Sequence, residues 1–151
     1  MKDSHLKSRV LEAVKFLVLE KINSAKSSIA STTESKNSAT KSTAGDKHET
    51  GRAMMERELA LNMSQLHKAE LLLHEINTLP LLPTKRASRG SLVTTNNATY
   101  LLSIAHGKIV IDDHTVYAIS CASPIAQTLI GSSSGSSLEF QGRKVLVERV
   151  D

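Results

Sequence analysis

The sequence predicts an α+β protein. An antiparallel α-helical coiled-coil hairpin is expected over residues 1–79, a Pro-containing basic linker over 80–90, and a small antiparallel sheet domain with one short helix over 91–151. Three observations predict this arrangement. Composition breaks near residue 80, apolar residues before the break recur at helical spacing, and those after it recur with period two.

Residues 1–79 contain no proline, whereas Pro80, Pro83 and Pro124 all follow. The run Leu79-Pro80-Leu81-Leu82-Pro83 therefore ends the preceding helix, because proline lacks the N–H and its ring clashes with the turn before it. In the first helix Val14, Val18, Ile22, Ala25, Ile29 and Thr32 step by fours and threes, which places them on one stripe. Met55, Leu59, Leu66, Ala69, Leu73 and Ile76 keep the same rhythm in the second, with Asn62 in one seam position. Two narrow apolar seams of similar length bury each other best as a coiled-coil hairpin, with arms about 45 Å long for about 30 residues each. Ser24 to Thr43 is rich in Ser and Thr and reads either as a flexible linker or as a thin helical arm. The helical reading is preferred because Ala25, Ile29 and Thr32 hold the phase of the seam.

After the break, Ser91–Thr95, Thr99–Ala105, Lys108–Ile111 and Thr115–Ser120 alternate as strands. Asn96-Asn97, His106-Gly107 and Asp112-Asp113 supply the turns. Ser123 suits an N-cap, Pro124 the first helical position and Gly131 the C-terminal closure of a short helix. Strands at Ser137–Phe140 and Arg143–Val150 complete the domain.

Composition narrows the function classes. The chain has 151 residues, a net charge of +4, 3% aromatic residues and one cysteine, Cys121. A lone cysteine excludes an intramolecular disulfide framework and a cysteine-based zinc cluster, and it suits a reducing cytoplasm. No apolar run reaches the roughly 20 residues of a membrane span, and the N-terminus lacks the apolar core of a signal peptide. With no Trp, a base-stacking platform is not expected. The expectation is a cytoplasmic monomer.

The turn of the hairpin reads Gly45-Asp46-Lys47-His48-Glu49-Thr50-Gly51-Arg52. Asp46 and Glu49, three apart at a helix start, lie on one side and can share a divalent cation. Two side chains supply only part of the six oxygens that Mg²⁺ needs, so another macromolecule must provide the rest. The same pair is also ordinary helix-start chemistry, a cap followed three residues later by a carboxylate. His48 between them can carry a proton or stand solvated. His67 and His74 share a helix face without a third ligand. Asp112-Asp113-His114 reads more simply as a hairpin turn than as a metal cluster, and Cys121 as a structural thiol. Lys85, Arg86 and Arg89, with Lys15, Lys21, Lys26, Lys36 and Lys41, give a scattered positive surface that serves either solubility or attraction to RNA or DNA.

Taken together these pieces resemble the bacterial GreA/GreB transcript cleavage factor family. Gly45-Asp46-Lys47-His48-Glu49 is similar to the family's Gly-Asp-x-x-Glu tip motif. Ile119-Ser120, Ser123-Pro124-Ile125-Ala126 and Leu129-Ile130-Gly131 are similar to its C-terminal signature. The resemblance implies that the sheet domain is FKBP-like and docks on RNA polymerase, with Ser123, Pro124, Ile125, Leu129 and Gly131 in the docking segment. It implies that Asp46 and Glu49 enter the polymerase secondary channel and help hold a catalytic Mg²⁺ of the polymerase, which then cleaves backtracked RNA. On this reading the protein is an accessory factor rather than an enzyme, and it binds no cofactor tightly by itself. The chain departs from the pattern after the tip, where Thr50-Gly51-Arg52 replaces Asn, an acidic residue and an aromatic, and at Ser132, where a Lys is usual. Arg52 in that position is able to pair with Asp46 or Glu49. Relatives of this architecture also inhibit polymerase without promoting cleavage. A reading of another class is a coiled-coil adaptor with an FKBP-like module, its acidic tip serving only as a cap. Prolyl isomerisation would have only Tyr100, Tyr117 and Phe140 to line a site, and acyl transfer lacks its nucleophile–base constellation.

Overall fold

The computed structural model describes residues 5–40 and 46–151, with the side chains of 39, 40 and 46–49 outside that description. Helix α1 runs Leu6–Thr40 and α2 Asp46–Asn77. The chain divides into two compact units, Leu17–Leu73 and the combination of Met1–Phe16 with His74–Asp151.

The helical unit is built on the expected seam. Val18, Ile22, Ala25 and Thr32 of α1 are buried, as are Asn62 and Ala69 of α2. Met55, Leu59, Leu66 and Leu73 are half-buried. The Ser/Thr-rich stretch is helical as far as Thr40, because its apolar and small residues stay in phase. Here the seam carries a polar pair, with Asn62 Nδ2 donating to Thr32 Oγ1 at 3.4 Å. Lys36 and Arg52 both approach the Glu56 carboxylate at 3.4 Å.

The second unit is a six-stranded sheet with α3 (Pro124–Leu129) on one face. Its strands are β1 (Leu92–Thr95), β2 (Thr99–Ser103), β3 (Gly107–Ile111), β4 (His114–Ser120), β5 (Ser137–Phe140) and β6 (Arg143–Val150). Their order is β3-β4-β2-β1-β6-β5. The sheet is mixed rather than wholly antiparallel. β2 pairs in parallel with β4 from Thr99↔Val116 to Ser103↔Ser120. The cause lies in the connections: after β2 the chain passes to the edge as β3, turns through Asp112-Asp113, and returns as β4 into the gap. Both turn residues have positive φ, 43° and 62°, the backbone of a two-residue hairpin loop whose twist matches the strands. Gln141 and Gly142 make the same kind of loop between β5 and β6, at 52° and 76°.

Ala87, Val93, Leu102, Ala126, Leu129, Val145 and Val147 form the core between the sheet and α3. Period two sends Leu92 and Leu101 to the opposite face, where both are also buried. The first turns of α1 join this unit: Lys7 Nζ donates to the Asp151 carbonyl oxygen at 3.3 Å, and Arg9 pairs with Asp112. Residues 80–90 are tied to the sheet unit too. Ala87 N–H donates to Ser132 O at 2.7 Å and Gly131 N–H to Ala87 O at 2.8 Å. Gly90 has φ 94°, and a Cβ there would collide with the Pro80 carbonyl oxygen.

Candidate functional site

Helix α2 begins at Asp46, so Asp46 and Glu49 occupy its first turn, three apart on one side of the backbone. The side chains of Asp46, His48 and Glu49 lie outside the described residues. Arg52, the tip cation, pairs with Glu56 one turn further on, a short-range pair in an ordinary helical geometry. The chemistry open to two carboxylates at a helix start is limited. They complement the positive end of the helix dipole, and they offer a cation two of the oxygens it needs. Among the described residues no group of three or more His, Cys, Asp or Glu is placed to hold a metal. His67 and His74 are exposed on α2. Asp112 and Asp113 form the β3–β4 loop, and Asp112 takes the Arg9 guanidinium.

In the sheet unit the Ser-Pro segment folds as a capped helix. The Ser123 hydroxyl accepts from Ala126 N–H at 3.3 Å and donates to Ser120 O at 2.7 Å. Pro124 fills the first helical turn, where no N–H partner exists for it to lose. Gly131, at φ 89°, turns the chain out of the helix. Leu129 is fully buried and Ile125 half-buried. The surface this segment presents is therefore Pro124, Gln127, Ile130 and Gly131, with Ile125 partly exposed. Leu129 holds the helix down from below. Burial pushes the Cys121 thiol up from its usual range, Arg89 opposes this, and Glu75 adds to it. A thiol shifted in that direction is a poor nucleophile.

The basic residues separate by role. Lys15, Lys21, Lys26, Lys85 and Arg86 are exposed, and Lys36 is occupied with Glu56. Lys41 lies outside the described residues. Arg89 closes the C-terminus of α2. Its guanidinium donates to Thr78 O at 3.0 Å, Glu75 O at 3.1 Å and Thr78 Oγ1 at 2.9 Å, satisfying carbonyls that a helix end leaves unpaired.

One feature escaped the sequence reading. Asn97, Tyr100, Ile125, Phe140, Gln141, Arg143 and Val145 line an open cleft of about 600 Å³. Tyr117 stands behind, its ring centroid 6.1 Å from that of Tyr100. These residues come from four separate segments, and the only local signal was the turn Gln141-Gly142 that brings Phe140 and Arg143 opposite each other.

No family model matches the chain, and no curated protein matches it. Among solved structures it is similar to the transcription factor Gfh1, at 17% identity and a TM-score of 0.40, over 91% of this chain and 93% of that one. It is likewise similar to the GreA factor homolog 1 (Gfh1) protein of Thermus thermophilus, at 16% identity and a TM-score of 0.36, over 91% of this chain and 94% of that one.

Proposed function

We propose that the protein is a Gre-like transcription elongation factor. It binds RNA polymerase through the secondary channel and presents Asp46 and Glu49 to the active-site Mg²⁺. The observation that carries this reading is the pairing of two sequence features on their expected elements. A Gly-Asp-x-x-Glu motif opens α2, and a Ser-Pro-capped helix follows β4 in the sheet unit.

The residues fit a shared cation and not a resident one. Two carboxylates three apart contribute at most part of an octahedral shell, and the polymerase supplies the remaining oxygens and the ion. When bound, Mg²⁺ lowers the pKa of a coordinated water and neutralises developing charge on the phosphate. The part of this chain is to deliver two negative charges on the first turn of a helix, to orient water, and to withdraw. The protein acts as an accessory factor, with the polymerase performing the cleavage.

The test is RNA cleavage in a backtracked elongation complex of the cognate polymerase with Mg²⁺. Wild type is expected to accelerate cleavage, and Asp46→Asn with Glu49→Gln to abolish the acceleration while leaving polymerase binding intact. If wild type instead slows elongation or blocks a cleavage factor, it is a channel-binding inhibitor of the same class. No effect on any of these reactions returns Asp46 and Glu49 to the role of helix caps in an adaptor protein.

A further inference from the structure

We infer that the chain just after α2, with the first turns of α1, is a contact surface for a second copy of this chain, each copy seating its Leu82 in a hollow of the other. The run Leu79-Pro80-Leu81-Leu82-Pro83 supplies the projecting part. Its prolines lack an N–H and fix φ, so the run joins neither a helix nor a strand ladder. Leu79 turns inward and is 5% exposed, whereas Leu81 and Leu82 are 67% and 80% exposed. No large apolar side chain among the described residues is more exposed than Leu82. A recess lies beside it. Leu11, Glu12 and Lys15 of α1 line a hollow of about 200 Å³ together with Ile76, Leu79 and Leu81. That is below the roughly 300–1,000 Å³ of small-molecule sites, and it suits one aliphatic side chain. Leu82 adjoins the hollow through Leu81 and leaves it unfilled. Projection and recess therefore share one patch. A two-fold interface uses the same patch on both copies, so it requires both parts in that patch.

The charges agree. Glu12 and Lys15 stand three apart on one side of α1, and both line the hollow. Neither side chain makes an ion pair among the described residues. About a two-fold axis each Glu12 can face Lys15 of the other copy, so the pair is satisfied twice. An anionic membrane surface or a nucleic acid would instead set like charge against Glu12. The patch is small, and interfaces below about 1,200 Å² in total are weak, so the expected dissociation constant is on the order of 100 μM. The monomer expected from the sequence is then the dilute form of a weak dimer. The inference goes beyond the tip chemistry, since it needs neither Asp46 nor Glu49.

The experiment is sedimentation equilibrium on the full chain, from about 10 μM to about 1 mM. The average mass is expected to rise from that of a monomer toward that of a dimer. Leu82→Asp, a change at an exposed position that far-ultraviolet circular dichroism should show folded, is expected to weaken the dimer by about tenfold or more. Glu12→Lys and Lys15→Glu should each weaken it by about tenfold, and the two together should restore it to within about threefold of wild type. In an equal mixture of ¹³C-labelled and unlabelled chains, isotope-filtered nuclear Overhauser spectra should connect the Leu82 methyl groups of one copy to Leu11 and Ile76 of the other. The inference is overturned by a monomer mass throughout, by a dimer that Leu82→Asp leaves intact, by failure of the double exchange to restore association, or by intermolecular contacts elsewhere on the chain. It is also overturned if the chain stays monomeric while phosphatidylglycerol vesicles shift the Leu81 and Leu82 resonances, which would mark a membrane contact. All of these results are read on the free protein, so failure here and failure of the polymerase reading are told apart.

Discussion

Two residues show how much the local environment adds to residue type. Gly90 reads in the sequence as one glycine of a loop, yet it combines φ 94° with the Pro80 carbonyl oxygen where a Cβ would be. Gly90→Ala meets both the left-handed penalty and a clash with backbone, and it is expected to lower stability by about 3 kcal/mol. A fall in the urea midpoint at constant m-value would measure it. Lys7 is the second case. A lysine is ordinarily placed at the surface, yet Lys7 continues the rhythm of Val10, Val14 and Val18 and is buried with them. Burial holds its ammonium below the usual value of 10.5, and Asp151 offsets part of the fall. The unfolded chain then binds the proton more tightly than the folded one, so the Lys7 contribution makes stability rise with pH between the folded value and 10.5. The difference in urea midpoint between wild type and Lys7→Met should rise with pH across that range, since Tyr100 and Cys121, whose raised values act in the opposite sense, are common to both proteins.

At the scale of elements, the seam was legible because side-chain period alone determines it. Val18, Ile22, Ala25 and Ala69 are buried where the four-three rhythm puts them. The same rhythm placed Thr32 and Asn62 on the seam but did not show that they meet. Their hydrogen bond, at 3.4 Å, is a long one and stabilises little by itself. A buried polar pair in such a seam serves register more than stability. Replacing both, as Asn62→Leu with Thr32→Val, is expected to raise stability by about 1–2 kcal/mol, read as a higher thermal midpoint. The end of α2 was legible from Pro80 and Pro83. Its clasp was not, because Arg89 reaches back to Thr78 and Glu75 through a long side chain that no local spacing announces. Arg89→Ala should speed hydrogen exchange at Thr78 and Leu79, with a cost of about 1 kcal/mol.

For the whole molecule, the strands were found by alternation, and β5 and β6 fall on the residues expected. Their order was not, since alternation states which face a side chain takes and carries no information on direction or neighbour. The parallel pairing of β2 with β4 follows from chain path, and the cleft by Arg143 follows from that same assembly of distant segments. The tip motif rests on the sequence, and the side chains of Asp46 and Glu49 lie outside the described residues. A test of the order is amide exchange: β1 and β2, flanked on both sides, should exchange slowest, and Lys108 and Val110 on edge strand β3 fastest within the sheet.

The position of β6 between β1 and β5 sets an order of events on the ribosome. Leu17–Leu73 has all its partners as soon as it is synthesised, and at typical rates it precedes Arg143–Val150 by roughly ten seconds. During that interval β1 and β5 both lack their shared neighbour, and the first turns of α1 lack Asp151. A nascent chain paused before β6 thus exposes two open strand edges, the state in which strand exchange and aggregation begin. Glu139, exposed on β5, is placed where a charge discourages such pairing until the final strand arrives.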